Sequence, residues 1–445
     1  MKILHVAPYY SPATGGAELY LKEVSERLAR RGHEVIVLTT NSRGGIGGDD
    51  GLLAERESIN GVSVQRFTPA DGVQRWFNKV LGIRGAHRLL GTLLGPDKVQ
   101  MLAIGPITGA PRRAAAETSP DVVAVSNWYC GSLVYQLCRV RPRASFALVG
   151  IPMFHTESYW IHSRAYGPML DGCDAILAMT DHEKRFVESR ATRRHVHIVG
   201  AGVDPERFVH AAGADLRARH DLGDALVVGY VGRMTSPKGV GRLIRAMQIV
   251  WQADPGIRLL LAGAGLETAA ARQDEVGQAL HALTPAERSR VTIIGKFSES
   301  EKATIFDALD VFAMPSMAES FGIAYLEAWM RKKAVIGCRI PSSECVIDDG
   351  VDGLLVRPEA SNELAAAILR LGRDRRERDR MGEAGHAKTV GHFTWEHVTD
   401  RIEQVYRDVS SVATHKAPSG LTFRASPVVA GGAEPPASVN AGGAR

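Results

Sequence analysis

Two glutamates eight residues apart, Glu319 and Glu327, flank the start of an apolar segment in the C-terminal half of the chain. The apolar run 311–314 ends at Pro315 and predicts a buried strand, and the run 321–330 predicts the following helix, with Glu327 about two turns in. This spacing separates the two carboxylates by roughly 9–12 Å. The carboxyl pair of a glycoside hydrolase lies about 5–9.5 Å apart, so the spacing suits two ends of one ligand better. The helix N-terminus between them would attract an anion.

Two cations occupy another predicted junction between a strand and a helix. Arg233 and Lys238 follow the apolar run 226–232, and a glycine follows the lysine. Arginine binds phosphate oxygens through a planar fork and lysine binds them as a point charge, so the pair could hold a diphosphate. An ordinary basic loop is the alternative interpretation.

The N-terminal half has two weaker candidates at equivalent positions. Gly15 and Gly16 lie between the first predicted strand, 3–7, and the helix after it, where glycine lets a backbone approach a ligand closely. His155 follows the predicted strand 145–149. A tight turn and an ordinary loop histidine are the corresponding alternatives without a ligand.

These residues require strands that alternate with helices. Strands are predicted at 3–7, 35–39, 62–67, 121–125, 145–149, 175–178, 196–199, 226–232, 258–262, 291–294, 311–314, 334–337 and 354–356. Such alternation predicts an α/β fold with doubly wound parallel sheets, which bind ligands at the carboxyl ends of their strands.

Length and composition limit the possible classes. A chain of 445 residues exceeds one hydrophobic core, so we expect two domains of about 200 residues each. A net charge of +5 without a dominant basic block does not indicate nucleic-acid binding. The five cysteines are scattered, with no Cys-x2-Cys pair, which favours a reducing cytoplasm over a zinc site or disulfide framework. No apolar run reaches transmembrane length.

Two segments depart from this pattern. Residues 74–94 form a basic amphipathic pattern, which favours a helix packed on its own domain and leaves a helix on an anionic membrane as the alternative. From about 413 the chain is rich in Pro, Gly, Ala and Ser, which predicts a disordered tail, 413–445.

The motifs in this order resemble the retaining glycosyltransferases of the GT-B fold, specifically family 4. The resemblance rests on Gly15-Gly16, His155, the Gly202–Phe208 connection, Arg233 with Lys238, Glu319 with Glu327, and Asp349–Val356. It covers nearly all of the chain except 70–115 and the tail. It implies a Rossmann-like acceptor-side domain (1–205), a Rossmann-like nucleotide-sugar domain (206–392) and a helix that crosses back onto the first domain (393–412).

The resemblance also implies roles for single residues. Arg233 and Lys238 would neutralise the leaving diphosphate, Glu319 would hold the hydroxyls of the donor sugar, and Glu327 would bind the ribose. His155 would reach the donor sugar, although Thr156-Glu157 follows it where the family often has Asp. The implied donor-binding set is completed by Gly15, Gly16, Phe297 beside the base, and the backbone of Phe321, Gly322 and Ile323. The segment Ile340-Pro341-Ser342-Ser343-Glu344 stands where the family often has Gly-Gly before a Pro and this Glu, so the shape of that loop is not carried over.

The implied reaction moves a sugar from a nucleotide-diphosphate sugar, with UDP- or GDP-sugars favoured, to an acceptor hydroxyl. No cofactor is implied, and the absence of Asp-x-Asp together with the paired cations predicts metal independence. The acceptor would be a glycan, a lipid-linked sugar or a small molecule, with Asn127, Trp128, Tyr159 and Trp160 as candidate contacts. The enzyme would be cytoplasmic, with 74–94 as a candidate contact to the inner membrane face. A nucleotide-sugar epimerase or a non-catalytic nucleotide-sugar binder of the same fold remains an alternative, whereas nothing indicates the pyridoxal lysine of a phosphorylase.

Overall fold

The computed structural model describes most of the chain, namely residues 1–42, 52–69, 79–80, 89–90, 92–93, 99, 105–106, 108–140, 145–193, 195–266 and 274–413. Two predictions fall largely outside these ranges: the basic amphipathic segment 74–94 and the disordered tail 413–445.

The first sheet has eight strands in the order β3-β4-β2-β1-β5-β6-β7-β8. They are β1 Lys2–Val6, β2 Glu34–Thr40, β3 Arg56–Ile59, β4 Val62–Phe67, β5 Val122–Ser126, β6 Ala147–Ile151, β7 Ala175–Ala178 and β8 Val196–Ile198. All neighbours are parallel except β3 and β4. The strand order reverses between β1 and β5, which places a crevice at their carboxyl ends.

The second sheet has six parallel strands in the order β11-β10-β9-β12-β13-β14. They are β9 Val227–Val231, β10 Arg258–Ala262, β11 Val291–Ile294, β12 Val311–Met314, β13 Ala334–Cys338 and β14 Gly353–Val356. Central strands such as β9 and β12 are buried along their whole length, as expected for a sheet covered on both faces. The order reverses between β9 and β12, the two strands that precede the predicted cations and glutamates.

The helices lie between and after these strands. They are α1 Gly16–Arg30, α2 Ala110–Thr118, α3 Gly131–Val140, α4 Tyr166–Asp171, α5 Asp181–Glu188, α6 Gly213–Arg219, α7 Val240–Ala253, α8 Glu275–His281, α9 Pro285–Arg288, α10 Lys302–Asp307, α11 Ile323–Met330, α12 Pro341–Glu344, α13 Ser361–Arg373, α14 Arg375–His392 and α15 Trp395–Ala413. In α1 the buried apolar residues Tyr20, Leu21, Val24 and Leu28 recur at helical spacing and face the first sheet.

The last helix, α15, packs on the first sheet although it follows the second in sequence. His5 Nε2 on β1 lies 3.1 Å from the hydroxyl of Tyr406, and the ring of Trp395 packs edge-on against Tyr20 with centroids 5.6 Å apart. Burial lowers the pKa of His5 to about 3, so this central imidazole is neutral. The expected crossing helix is therefore present. The domain boundaries at 205 and 392 stay predictions.

One strand was not predicted. β3 pairs with β4 in antiparallel register through the turn Asn60-Gly61, where both residues have positive φ, 48° and 83°. Asn-Gly is the preferred sequence for such a two-residue hairpin, but the polar strand Arg56–Ile59 has no apolar face to indicate it.

Candidate functional site

Two loops at the carboxyl edge of the second sheet form one unit. The loop 232–239 follows β9 and the loop 315–322 follows its neighbour β12. The backbone N–H of Met317 donates to the carbonyl of Pro237 at 2.9 Å, which joins the two loops directly. The cations and the first glutamate are thereby held at one place.

The centre of this unit is an ion pair between Lys238 and Glu319. Lys238 Nζ donates to Glu319 Oε1 at 2.6 Å, and the two side chains are 20% and 9% exposed. A carboxylate at this depth requires a partner because its desolvation is costly. The ammonium has three N–H donors, so its bond to Glu319 does not use its whole capacity to bind a phosphate.

His155 brings the first sheet into the same cluster. Burial lowers the pKa of His155, nearby Glu319 opposes this shift, and Lys238 and Arg233 reinforce it. His155 follows β6, and charged side chains on both loops of the second sheet act on its imidazole. The structure therefore brings His155, Arg233, Lys238 and Glu319 together between the carboxyl edges of the two sheets, a region called the gap below, and the donor-binding roles predicted for these residues stay predictions.

The glycine pair faces this gap from the first sheet. A Cβ atom on Gly16 would lie 4.0 Å from Ile323 Cδ1, so the loop before α1 lies against the start of α11. A Cβ on Gly15 would lie 2.2 Å from Glu18 Oε2, because the Glu18 carboxyl folds back over that glycine.

No motif in the sequence indicated a role for Glu18. Burial raises the pKa of its carboxyl, while its own backbone N–H and nearby Arg233 act in the opposite direction. The signal available was its place in the first turn of a helix that opens on Gly-Gly. Glu18 thus belongs to the electrostatic surroundings of Arg233.

Glu327 lies on α11, and its place differs from the prediction. The helix begins at Ile323, because Gly322 adopts φ 93° and caps it, rather than at Phe321. Glu327 is therefore the fifth helical residue, little more than one turn in, and the predicted two turns are wrong. Because α11 is apolar on most faces, the burial of Glu327 by itself indicates only that this side chain lies in the core.

The partner of Glu327 was missed from the sequence. Lys302 Nζ on α10 donates to Glu327 Oε1 and to Glu299 Oε2, both at 2.8 Å. Lys302 and Glu327 are 9% and 7% exposed as residues, so the pair is nearly removed from water. A lysine in a charged helix gives no sequence signal of such burial.

Two family descriptions match this chain. Glycosyltransferase Family 4 matches residues 14–207, and Glycosyl transferases group 1 matches residues 225–374. Together these two ranges contain every residue of the cluster described above. The chain is a family 4 glycosyltransferase. The enzyme transfers a sugar from a nucleotide-sugar donor.

Relatives in sequence align with the glycosyltransferase over almost its full length. It is 28% identical over 434 residues to the D-inositol 3-phosphate glycosyltransferase of Mycobacterium marinum, covering 91% of this chain and 84% of that protein. It is 24% identical over 421 residues to an uncharacterized glycosyltransferase of Methanocaldococcus jannaschii, covering 92% and 98%.

Solved structures show that the fold is GT-B. Sucrose-phosphate synthase of Thermosynechococcus elongatus superposes with a TM-score of 0.72 at 20% identity, covering 92% of this glycosyltransferase and 99% of that chain. Anabaena HepE in complex with UDP and glucose superposes with a TM-score of 0.68 at 19% identity, covering 92% and 100%.

The structure contradicts one predicted contact of the glycosyltransferase, and the predicted contacts of Phe321 and Phe297 with the donor stay predictions. The predicted acceptor contact through Trp128 is wrong, because its ring is fully buried and its Nε1 donates to Val125 O at 2.9 Å. Phe321 packs edge-on against Phe393, with centroids 5.5 Å apart, so its ring contributes to the domain crossing. Phe297 is half-buried against the core of the second sheet.

Three other predictions concern the rim and metals. Asn127 ends β5 with a left-handed φ of 55°, at the edge where ligands of such sheets bind. The backbone of Tyr159 and Trp160 forms a 3-10 turn, but their side chains lie outside the described part of the glycosyltransferase. Within the described ranges, no group of three or more His, Cys, Asp or Glu side chains could hold a metal ion.

Proposed function

We propose that this glycosyltransferase moves a sugar from a UDP-sugar to an acceptor hydroxyl with retention of anomeric configuration, using Arg233 and Lys238 against the leaving diphosphate. The observation that carries the proposal is the Lys238–Glu319 pair, 2.6 Å across, in the same gap as His155 and Arg233. Charge on the diphosphate grows as the glycosidic bond breaks, and two fixed cations stabilise that charge without reorganising water.

Each part of the donor then has a partner of suitable chemistry. The Glu319 carboxylate accepts hydrogen bonds from sugar hydroxyls, and the backbone at the start of α11 offers N–H groups to the phosphates. His155, kept neutral by burial, donates or accepts one hydrogen bond at the sugar without adding a charge. Retention follows from attack on the face that the diphosphate leaves.

The donor base is assigned by likeness. HepE, which binds UDP and glucose, shares this fold over 92% of this chain. A thermal-shift panel of UDP-, GDP- and ADP-sugars tests the assignment, since a donor bound to the folded state raises its midpoint. We expect UDP-sugars to give the largest shift and UDP release to require an acceptor. No shift with any nucleotide sugar would contradict the proposal.

Two alternatives are separated by the same assays. An epimerase of this fold would release UDP or isomerise the donor with no acceptor present. A non-catalytic binder would shift with the donor yet give no product with any acceptor.

A Lys302→Met variant is expected to raise the KM for the donor about 10-fold or more. We propose that Glu327 binds the ribose hydroxyls, and removal of its cation would leave a buried carboxylate without a partner, which is costly to keep in place; every 1.4 kcal/mol lost is tenfold in affinity. Initial rates over a donor concentration series measure the change. Lys332→Met, which removes an exposed lysine paired with Glu383 at 2.9 Å, is the control. A lowered melting temperature with an unchanged donor KM would limit Lys302 to stability.

The reaction is expected to proceed fully in excess EDTA. The two cations at Arg233 and Lys238 supply the positive charge that a divalent ion provides in other phosphate-transferring sites. Activity that disappears with EDTA and returns only on adding Mg²⁺ or Mn²⁺ would refute metal independence.

The acceptor is proposed to bind residues 1–205, the domain opposite the donor. The relatives named for D-inositol 3-phosphate favour a small phosphorylated polyol. A lipid-linked acceptor at the inner face of the membrane, in a cytoplasmic enzyme, is the second candidate. The observation that favours it is that Leu89 and Leu93 are 62% and 71% exposed.

The membrane candidate has a direct test. None of the helices in the described ranges combines the length and apolar character that crossing a bilayer requires. Peripheral contact through 74–94 would place Trp76 and Phe77 in anionic liposomes. Replacement of both by Ser should then reduce co-flotation with liposomes, and unchanged flotation would contradict this contact.

A further inference from the structure

The loop that carries His155 contains a residue with left-handed backbone, two positions before the histidine. Met153, two residues past β6, has φ 54°. This region costs a residue with a side chain about 1–2 kcal/mol, so the surrounding structure must hold the loop in place.

The group that holds the loop is the carboxylate of Glu183 on α5. Its Oε1 accepts the backbone N–H of Phe154 at 2.7 Å, and its Oε2 accepts that of Met179 at 2.7 Å. The backbone of Met153 also acts on this carboxyl, in the direction that lowers its pKa. Successive backbone N–H groups that converge on one anion form a nest, and here the anion is part of the chain.

Glu183 is unusual among the acidic side chains of the first sheet. It is 1% exposed, and the groups that act on it are backbone N–H donors rather than a cation. Burial raises the pKa of its carboxyl to about 7, and the backbone of Met179, Phe154 and Met153 opposes that shift. A carboxyl this buried is costly, which favours a role beyond surface solubility.

We propose that Glu183 is a positioning residue for His155, holding the loop 152–155 so that the imidazole faces Arg233, Lys238 and Glu319. The proposal rests on the role proposed above for His155. It adds a residue from α5, which no motif indicated and which does not itself face the gap.

The packing of Phe154 explains how the carboxylate acts on its neighbour. The ring of Phe154 is held edge-on by Trp128, Tyr166 and Phe186, with centroid distances of 6.1, 5.2 and 5.7 Å. Its N–H is held from the other side by Glu183, so the backbone entering His155 has little freedom. The carbonyl of His155 in turn accepts the N–H of Ser158 at 2.9 Å.

The alternative is a purely structural role. Glu183 is the third residue of α5, whose N-cap Thr180 accepts its N–H at 3.1 Å. A helix-capping carboxylate would affect the stability of the fold without acting through His155. The experiment must therefore separate stability from catalysis.

A double-mutant cycle of Glu183→Gln and His155→Ala makes this separation. The glutamine amide puts N–H donors against backbone N–H groups, so we expect Glu183→Gln to lower kcat about 10-fold or more by displacing the imidazole. In the His155→Ala background the same change should have almost no further effect on kcat, because both substitutions remove one interaction. Asp181→Asn, the same chemical change on the exposed face of α5, should leave kcat unchanged.

Each outcome decides the proposal. The positioning role would be overturned if the two effects on kcat multiply in the double variant. It would also be overturned if Glu183→Gln lowers the melting temperature but keeps the wild-type kcat. Either outcome leaves the transferase assignment intact. Wild-type turnover of His155→Ala would remove the role of His155 and this proposal with it. If Glu183→Gln does not fold, Glu183→Asp is tested in the same cycle, since it keeps the charge but withdraws it from the nest by one methylene.

Discussion

A Lys238→Ala variant is expected to turn over at least about 100-fold more slowly than the wild-type enzyme, the loss that follows removal of one electrostatic donor from a developing anion. Two effects contribute to the loss. The leaving diphosphate loses a cation, and Glu319, 9% exposed at its side chain, loses the ammonium that lies 2.6 Å from it. A buried carboxylate without that partner is costly to keep in place, so its contact with the donor sugar weakens as well.

Single-turnover rates with saturating donor measure this effect, because they separate the chemical step from donor binding. Lys332→Ala is the matched control: it removes a lysine of the same domain whose ion pair with Glu383, at 2.9 Å, is about half exposed. Exposed pairs contribute about 0–1 kcal/mol, so the control should turn over normally. A near-normal rate for Lys238→Ala would remove the proposed site.

The parts of the fold that were predictable from sequence are those with one dominant local signal. The strands β7 and β12 have the predicted bounds because each is a short apolar run, and β4 has them because its apolar residues alternate with polar ones. The strand β3 escaped detection, since Arg56–Ile59 is stabilised by pairing with β4 rather than by its own pattern. The start of α11 moved by two residues for a similar reason, as a left-handed Gly322 decides it.

The presence or absence of a local sequence signal also explains which features of the site were predictable. Lys238 and Glu319 are 81 residues apart, yet their place at one sheet edge was predictable because each follows a predicted parallel strand; their ion pair itself was not predicted. The partners Lys302 and Glu327 are only 25 residues apart, but nothing local indicates that α10 and α11 bring them together. Glu183 was hidden because its contacts are to backbone N–H groups, which carry no sequence information. The nearness of charged residues thus followed from topology only where both of them lay at strand termini.

The second large effect is expected from Gly239→Ala, which should lower turnover about 100-fold by moving its neighbour Lys238. Gly239 has φ 76°, and a Cβ there would lie 2.1 Å from the carbonyl oxygen of Pro315. That contact cannot be relieved by a side-chain rotation, because the opposing atom is backbone. The loops 232–239 and 315–322 must therefore separate, and a displacement of about 1 Å at a catalytic group is enough for a loss of this size.

Gly350→Ala is the matched control, since Gly350 has φ 78° and nothing within 4 Å of the position of a Cβ. Both substitutions carry the left-handed backbone cost of about 1–2 kcal/mol, and only Gly239→Ala adds the clash between the two loops. Chemical denaturation should therefore show a loss of stability in both variants, whereas turnover should fall only in Gly239→Ala. Equal turnover in the two variants would mean that the close contact of these loops does not position Lys238, and the ion pair with Glu319 would then have to hold the ammonium by itself.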